Sequence, residues 1–95
     1  MAYRVIWSDE VQEQIRDIQS RLLTNFGDAA ADQFSDRLRK VSDLLEKMPR
    51  VGERHPLFTA VREFRIQGHL LLAYTVVRQD VIVLNLVDSR RRNVK

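Results

Sequence analysis

Apolar residues recur at helical spacing through the first half of the chain and in alternating or continuous runs through the second, which divides it into a helical part and an extended part. Residues 2–7, Ala-Tyr-Arg-Val-Ile-Trp, are rich in β-branched and aromatic types and stop at Ser8-Asp9-Glu10, predicting a short first strand closed structurally by Trp7. Ser8 is placed to cap a helix, because its side-chain oxygen can accept from an unpaired first-turn amide. Asp9 and Glu10 suit the positive end of that helix. Val11, Ile15, Ile18 and Leu22 then form one apolar stripe through about residue 26, and Gly27 ends it. Asp28 is expected to cap a second helix with the stripe Ala30, Phe34, Leu38, Val41, Leu45 and Met48, stopped by Pro49. The short Gly27-Asp28 break implies an antiparallel helical hairpin whose stripe needs a covering layer.

From Pro49 to Pro56 the sequence PRVGERHP reads as a turn-rich connector. Three strands are expected after it, at about 60–66, 69–77 and 81–87. Gln67-Gly68 and Arg78-Gln79-Asp80 are short enough to make both connections hairpins, hence an antiparallel meander. The fold class is therefore α+β: a strand, a helical hairpin and a three-stranded meander, with the helices on one face of the sheet, in one domain over residues 1–95. The last two strands are apolar on both faces. Leu70, Leu72 and Val76 alternate with Leu71, Ala73 and Val77, and Ile82, Leu84 and Leu86 with Val81, Val83 and Val87. One hairpin covers one face, so the other calls for loops, a second copy or a partner.

Charge sharpens this division. Residues 1–48 carry seven Lys/Arg against nine Asp/Glu, whereas residues 49–95 carry nine against four, so the second half holds a net +5. Thirteen of the 16 basic residues are arginine, the side chain suited to bidentate pairing with phosphate or carboxylate, which favours an acidic partner. The absence of cysteine excludes disulfides and thiolate metal sites. No stretch has a signal-peptide core or the roughly 20 apolar residues of a membrane span, so a cytoplasmic protein without membrane contact is expected.

The order of these elements, together with Pro49 and Gly52, Val61-Arg62-Glu63-Phe64-Arg65-Ile66, Leu72-Ala73-Tyr74, Val81-Ile82-Val83-Leu84 and Asp88-Ser89-Arg90, resembles the RelE/ParE toxin superfamily over essentially the whole chain. The resemblance implies a bacterial toxin held inactive by a cognate antitoxin in a hetero-oligomer, needing no cofactor. Its two branches imply different targets: ParE-like members bind and poison DNA gyrase, and RelE-like members cleave mRNA on the ribosome. A non-toxic homologue that keeps only antitoxin binding is a third possibility. RelE-like enzymes typically carry a basic residue just ahead of the Leu-x-Tyr segment and a functional tyrosine near the C-terminus. Here the first place holds Leu71 and no tyrosine follows Tyr74, which favours the ParE-like branch.

Metal-free RNA cleavage by 2′-hydroxyl attack needs a base, an acid and cations to stabilise phosphate. Arginine supplies only the cations. For a nuclease the set would be Arg62, Arg65, His69, Tyr74 and Arg90, with His55 a further titratable candidate. His69 and Tyr74 are five residues apart on one expected strand, and Arg62 and Arg65 three apart, so each pair should point to opposite faces. For a binding protein the target or antitoxin would meet Arg62, Arg65, Tyr74, Asp88, Arg90 and Arg91. Each has a plainer alternative: Tyr74 as sheet packing, His69 as a solvated strand start, the arginines paired with Glu63 or solvent, Asp88 solvating a strand end. Arg90-Arg91-Arg92, with Lys95 beyond, is either a positioned basic site or a solvated tail. No phosphate-binding glycine loop or metal-ligand cluster is present.

Overall fold

The computed structural model describes residues 2–91, Arg91 through its backbone alone. Two helices and five strands follow in the order β1 (Arg4–Trp7), α1 (Asp9–Phe26), α2 (Asp28–Lys47), β2 (Glu53–Arg54), β3 (Val61–Gln67), β4 (Leu70–Val77) and β5 (Asp80–Asp88), closed by a 3-10 turn at Ser89–Arg91. The α+β class, the helical hairpin and the antiparallel β3–β4–β5 meander are as the pattern predicts. Ser8 caps α1, its hydroxyl accepting from the Val11 amide at 3.2 Å.

Asp28, expected as the second cap, is instead the first helical residue. Gly27 alone joins the helices, its φ of 92° serving as C-cap of α1 and N-cap of α2, with its amide donating to the Leu22 and Leu23 carbonyls. Asp28 therefore acts through its charge at the helix N-terminus. Met48 also departs from the expected stripe. Pro49 disfavours helical geometry in the residue before it, so the chain turns at Met48, which is 55% exposed.

The sheet runs β1-β5-β4-β3-β2, and β1 lies parallel to β5, with Val5 opposite Val81 and Trp7 opposite Val83. Alternation within a strand specifies its faces but not its neighbours, so neither this long-range pairing nor the two-residue edge strand β2 was legible in the pattern. With partners on both sides, β5 is an interior strand; its Val81 and Val83 face is fully buried, whereas on the other face Ile82 is half-buried and Leu84 exposed. The hairpin turns are tight: Gly68 and Arg78 both take positive φ, at 52° and 57°. Phe34, Leu38, Val41 and Leu45 of α2 and Val11 of α1 pack on Ile66, Leu72, Tyr74, Val81, Val83 and Leu86 of the sheet. Across the helices, the Gln19 side-chain amide donates to the Ser35 hydroxyl.

Two irregularities decide which residues face that core. Tyr74 pairs with Val83 and Ala73 with Asn85, leaving Leu84 as an extra residue in β5. The simple alternation placed Leu86 with Leu84, away from Val81 and Val83. The bulge reverses the phase, so that Leu86 joins Val81 and Val83 inside while Leu84 is 38% exposed. Ile66 is the extra residue in β3 and is fully buried. No helix among the described residues is long and apolar enough to cross a membrane.

Replacing Phe34, fully buried, by alanine is expected to cost about 3–5 kcal/mol, and Ser8→Ala only about 0.5–2 kcal/mol. Urea unfolding monitored at Trp7 measures both. A loss at Phe34 no greater than that at Ser8 would contradict the packing of α2.

Candidate functional site

Among the described residues Tyr74 is the largest fully buried side chain, and its place on β4 brings the phenol under the connector that follows α2. There its hydroxyl oxygen accepts from the Gly52 amide at 2.8 Å. Arg62, directly across the ladder from Tyr74, donates from Nη1 to the Gly52 carbonyl at 2.8 Å and to the Arg50 carbonyl at 3.2 Å. One peptide segment is thus held at its N–H by Tyr74 and at its C=O by Arg62. A Cβ at Gly52 would stand 2.7 Å from the Tyr74 hydroxyl and 2.8 Å from the Glu63 carbonyl, so only glycine fits. Burial pushes the Tyr74 pKa up, against the opposing pull of the Gly52 amide and the Arg62 charge. The phenol is neutral and enclosed at physiological pH.

The other candidates do not converge on Tyr74. Arg65 is exposed and donates to the Gly68 carbonyl within its own hairpin. His69 occupies the exposed turn, where its carbonyl accepts from the Ser89 amide at 2.8 Å. Arg62 and Arg65 take opposite sides of β3. Asp88 holds Arg90 through three bonds, accepting from its backbone amide at 2.9 Å, its Nε at 3.1 Å and its Nη2 at 2.8 Å. These bonds raise the proton affinity of a guanidinium that remains exposed. Arg91 follows in the 3-10 turn, its side chain undescribed; Arg92 and Lys95 lie outside the described residues.

Three positions, two of them already noted in the sequence, gain a structural role only in the tertiary structure. His55 Nδ1 accepts from the Leu57 and Phe58 amides at 3.0 and 3.1 Å, fixing a turn between β2 and β3. Gln14 of α1 reaches β5 beyond the end of β1, donating to Asn85 Oδ1 at 2.7 Å and accepting from the Leu86 amide at 3.0 Å. Gly52 completes the set, its signal in the sequence being a glycine within an otherwise charged connector.

A groove of about 1040 Å³ runs from α1 across β5 to β3 and the His55–Phe58 turn. Ile18, Leu22 and Phe26 line its helical side, Ala73, Leu84 and Val61 lie along the sheet, and Asp17, Arg21, Asp88 and Arg90 supply charge. Its mixed lining, with Phe26 73% and Phe58 64% exposed, is suited to receiving an amphipathic chain segment. Among the described residues no group of three or more His, Cys, Asp or Glu is placed to hold a metal ion.

A family model described as ParE toxin of type II toxin-antitoxin system, parDE, matches residues 5–94. Among solved structures, a chain of the chromosomal ParDE TA system from P. aeruginosa is similar with a TM-score of 0.74, covering 90% of this chain and 94% of its own at 13% identity. No curated protein matches the sequence.

Removing the Tyr74 hydroxyl in Tyr74→Phe strands the buried Gly52 amide, and the expected loss is about 1–3 kcal/mol. Gly52→Ala, which overpacks the same spot, is expected to cost at least as much. Folding raises the phenol pKa above its ordinary value of 10.0, so the unfolded chain releases the proton first as pH climbs. The stability tied to Tyr74 is therefore complete below pH 10 and is lost on rising through the folded-state value. Urea unfolding across pH 8–11 should show a steeper decline for the wild type than for Tyr74→Phe; parallel profiles would contradict the assignment.

Proposed function

The chain belongs to the ParE toxin family of type II toxin-antitoxin systems, and on that premise we propose that it is a toxin that binds and poisons DNA gyrase and is neutralised by a cognate antitoxin. The observation that carries binding over RNA cleavage is the condition of Tyr74. A nuclease of this fold needs a proton carrier beside its phosphate-binding cations. The Tyr74 phenol is enclosed, engaged by the Gly52 amide and pushed up in pKa, while Arg65, Arg90 and His69 stand in exposed positions elsewhere. The chemistry left to the exposed surface is recognition of an acidic protein partner by positioned guanidinium groups.

The groove supports the antitoxin half of this reading. Its apolar lining fits a helix or strand with apolar anchors, and its charges, Arg21 and Arg90 beside Asp17, Glu63 and Asp88, suit a segment that carries both signs. The solved relative is itself described as part of a ParDE system, which supports an antitoxin partner here and a hetero-oligomer as the resting state. Gyrase and the antitoxin would both be met in the bacterial cytoplasm.

Purified protein is expected to block gyrase supercoiling and accumulate cleaved DNA, while leaving ribosome-bound mRNA intact in a translating extract. Codon-specific mRNA cleavage with unaffected gyrase would reverse the assignment in favour of a ribosome-dependent interferase. Saturating antitoxin should abolish inhibition and raise the melting temperature, since a ligand confined to the folded state stabilises it by about 2.7 kcal/mol at 100 times Kd. For the C-terminal arginines, Arg90→Ala with Arg91→Ala is expected to cut toxicity at least tenfold at equal protein level, because charge-assisted contacts in a desolvated interface contribute about 1.5–3 kcal/mol each. Full growth arrest by the folded double variant would relegate them to a solvated tail.

A further inference from the structure

The turn between β2 and β3 combines two properties that seldom occur together: it is extensively hydrogen-bonded, and it displays large apolar side chains to solvent. Leu57 is 78% and Phe58 64% exposed. Around them His55 Nδ1 accepts from the amides of both residues, the His55 amide donates to the Val61 carbonyl at 2.8 Å, and the Val61 amide donates back to the Phe58 carbonyl at 2.8 Å. The Thr75 hydroxyl of β4 ties the Ala60 carbonyl to the sheet at 2.7 Å. The His55 and Phe58 rings lie 5.1 Å apart between centroids, which orients the phenyl group. A structural turn needs none of its apolar side chains outside; a binding anchor needs them held in place before the partner arrives.

We infer that the His55–Phe58 turn is a preformed apolar anchor by which the toxin grips its target, a folded protein presenting an apolar socket with an acidic margin. This rests on the binding reading proposed above. His55 and Phe58 also line the groove, so it is Leu57 that separates the anchor from the antitoxin seat. A flexible segment is received by the groove, whereas Leu57 stands outside the groove lining and projects, so it requires a concavity that a structured partner supplies. The acidic margin follows from Arg54, an exposed cation on the adjoining strand that donates across the turn to the Thr59 carbonyl. His55 is a positioning residue: its imidazole nitrogen holds the backbone that aims the two anchors.

The test compares gyrase supercoiling inhibition, antitoxin affinity and melting temperature for the wild type, Leu57→Ser with Phe58→Ser, Leu57→Ser alone, His55→Ala and His55→Asn. Both anchor variants are expected to need at least about tenfold more protein for half-inhibition, as for interface hot spots, with melting temperature preserved. Leu57→Ser should retain antitoxin affinity. His55→Ala should lose part of the inhibition and His55→Asn regain it, because an asparagine oxygen can accept from the amide two residues on. Undiminished inhibition by the Leu57/Phe58 variant beside an active wild type overturns the anchor alone. Equal loss of inhibition and antitoxin affinity in Leu57→Ser assigns the turn to the groove and overturns it too. A wild type inert toward gyrase overturns the target reading and the anchor with it.

Discussion

Strand β5 is paired on both sides, to β1 through Arg4–Trp7 and to β4 through most of its length, and the placement of the remaining elements follows from that. Its inner residues Val81 and Val83 are fully buried in the core cluster formed with both helices. Since β1 stops at Val83, the next stretch of β5 has an unpaired flank, and there Gln14 of α1 supplies the acceptor for the Leu86 amide. The bulge at Leu84 falls at the same place, turning the strand and bringing Leu84 into the groove. The candidate partner surface is thus a consequence of where a four-residue parallel pairing ends.

Around the Gly52 peptide, residue types usually associated with catalysis are spent on architecture. Tyr74 gives its oxygen to an amide and Arg62 gives its guanidinium to two carbonyls, so the connector is fixed relative to the sheet without a helix or long strand of its own. Other arginines act similarly: Arg37 bonds the Ile66 carbonyl and Arg65 the Gly68 carbonyl. A guanidinium carries five donors, which lets one side chain bond the backbone while keeping donors for a partner. Arg90, clasped by Asp88 yet exposed, is held in a defined orientation at modest entropic cost to a later contact.

The exposed apolar side chains have an order of their own. Phe26 and Phe58 flank the groove, and Leu57 projects beyond it. A chain of this size buries a small core, so outward-facing leucine and phenylalanine on well-held backbone are costly in solubility without compensating burial elsewhere. The groove and Leu57, which meet at Phe58, would let an antitoxin and a target engage different features of one small domain.

What the sequence determined by itself was the class of every element except the edge strand β2 and the closing 3-10 turn, and the family, because these depend on local patterns: the helical stripes, the Ser8 cap, the stop at Pro49, the hairpin turns and the ordered segments from Val61 to Arg90. The opposite orientations of Arg62 and Arg65 followed from the two-residue period of a strand. The tertiary structure alone decided the neighbours. It paired β1 with β5 and set the bulge that reversed Leu86. It also brought Gly52 against Tyr74, 22 residues away in sequence, and Gln14 against Asn85, 71 residues away. Periodicity records which side of an element is apolar; it holds no information about which distant backbone group will lack a hydrogen-bond partner, and in this fold that requirement assembled the site.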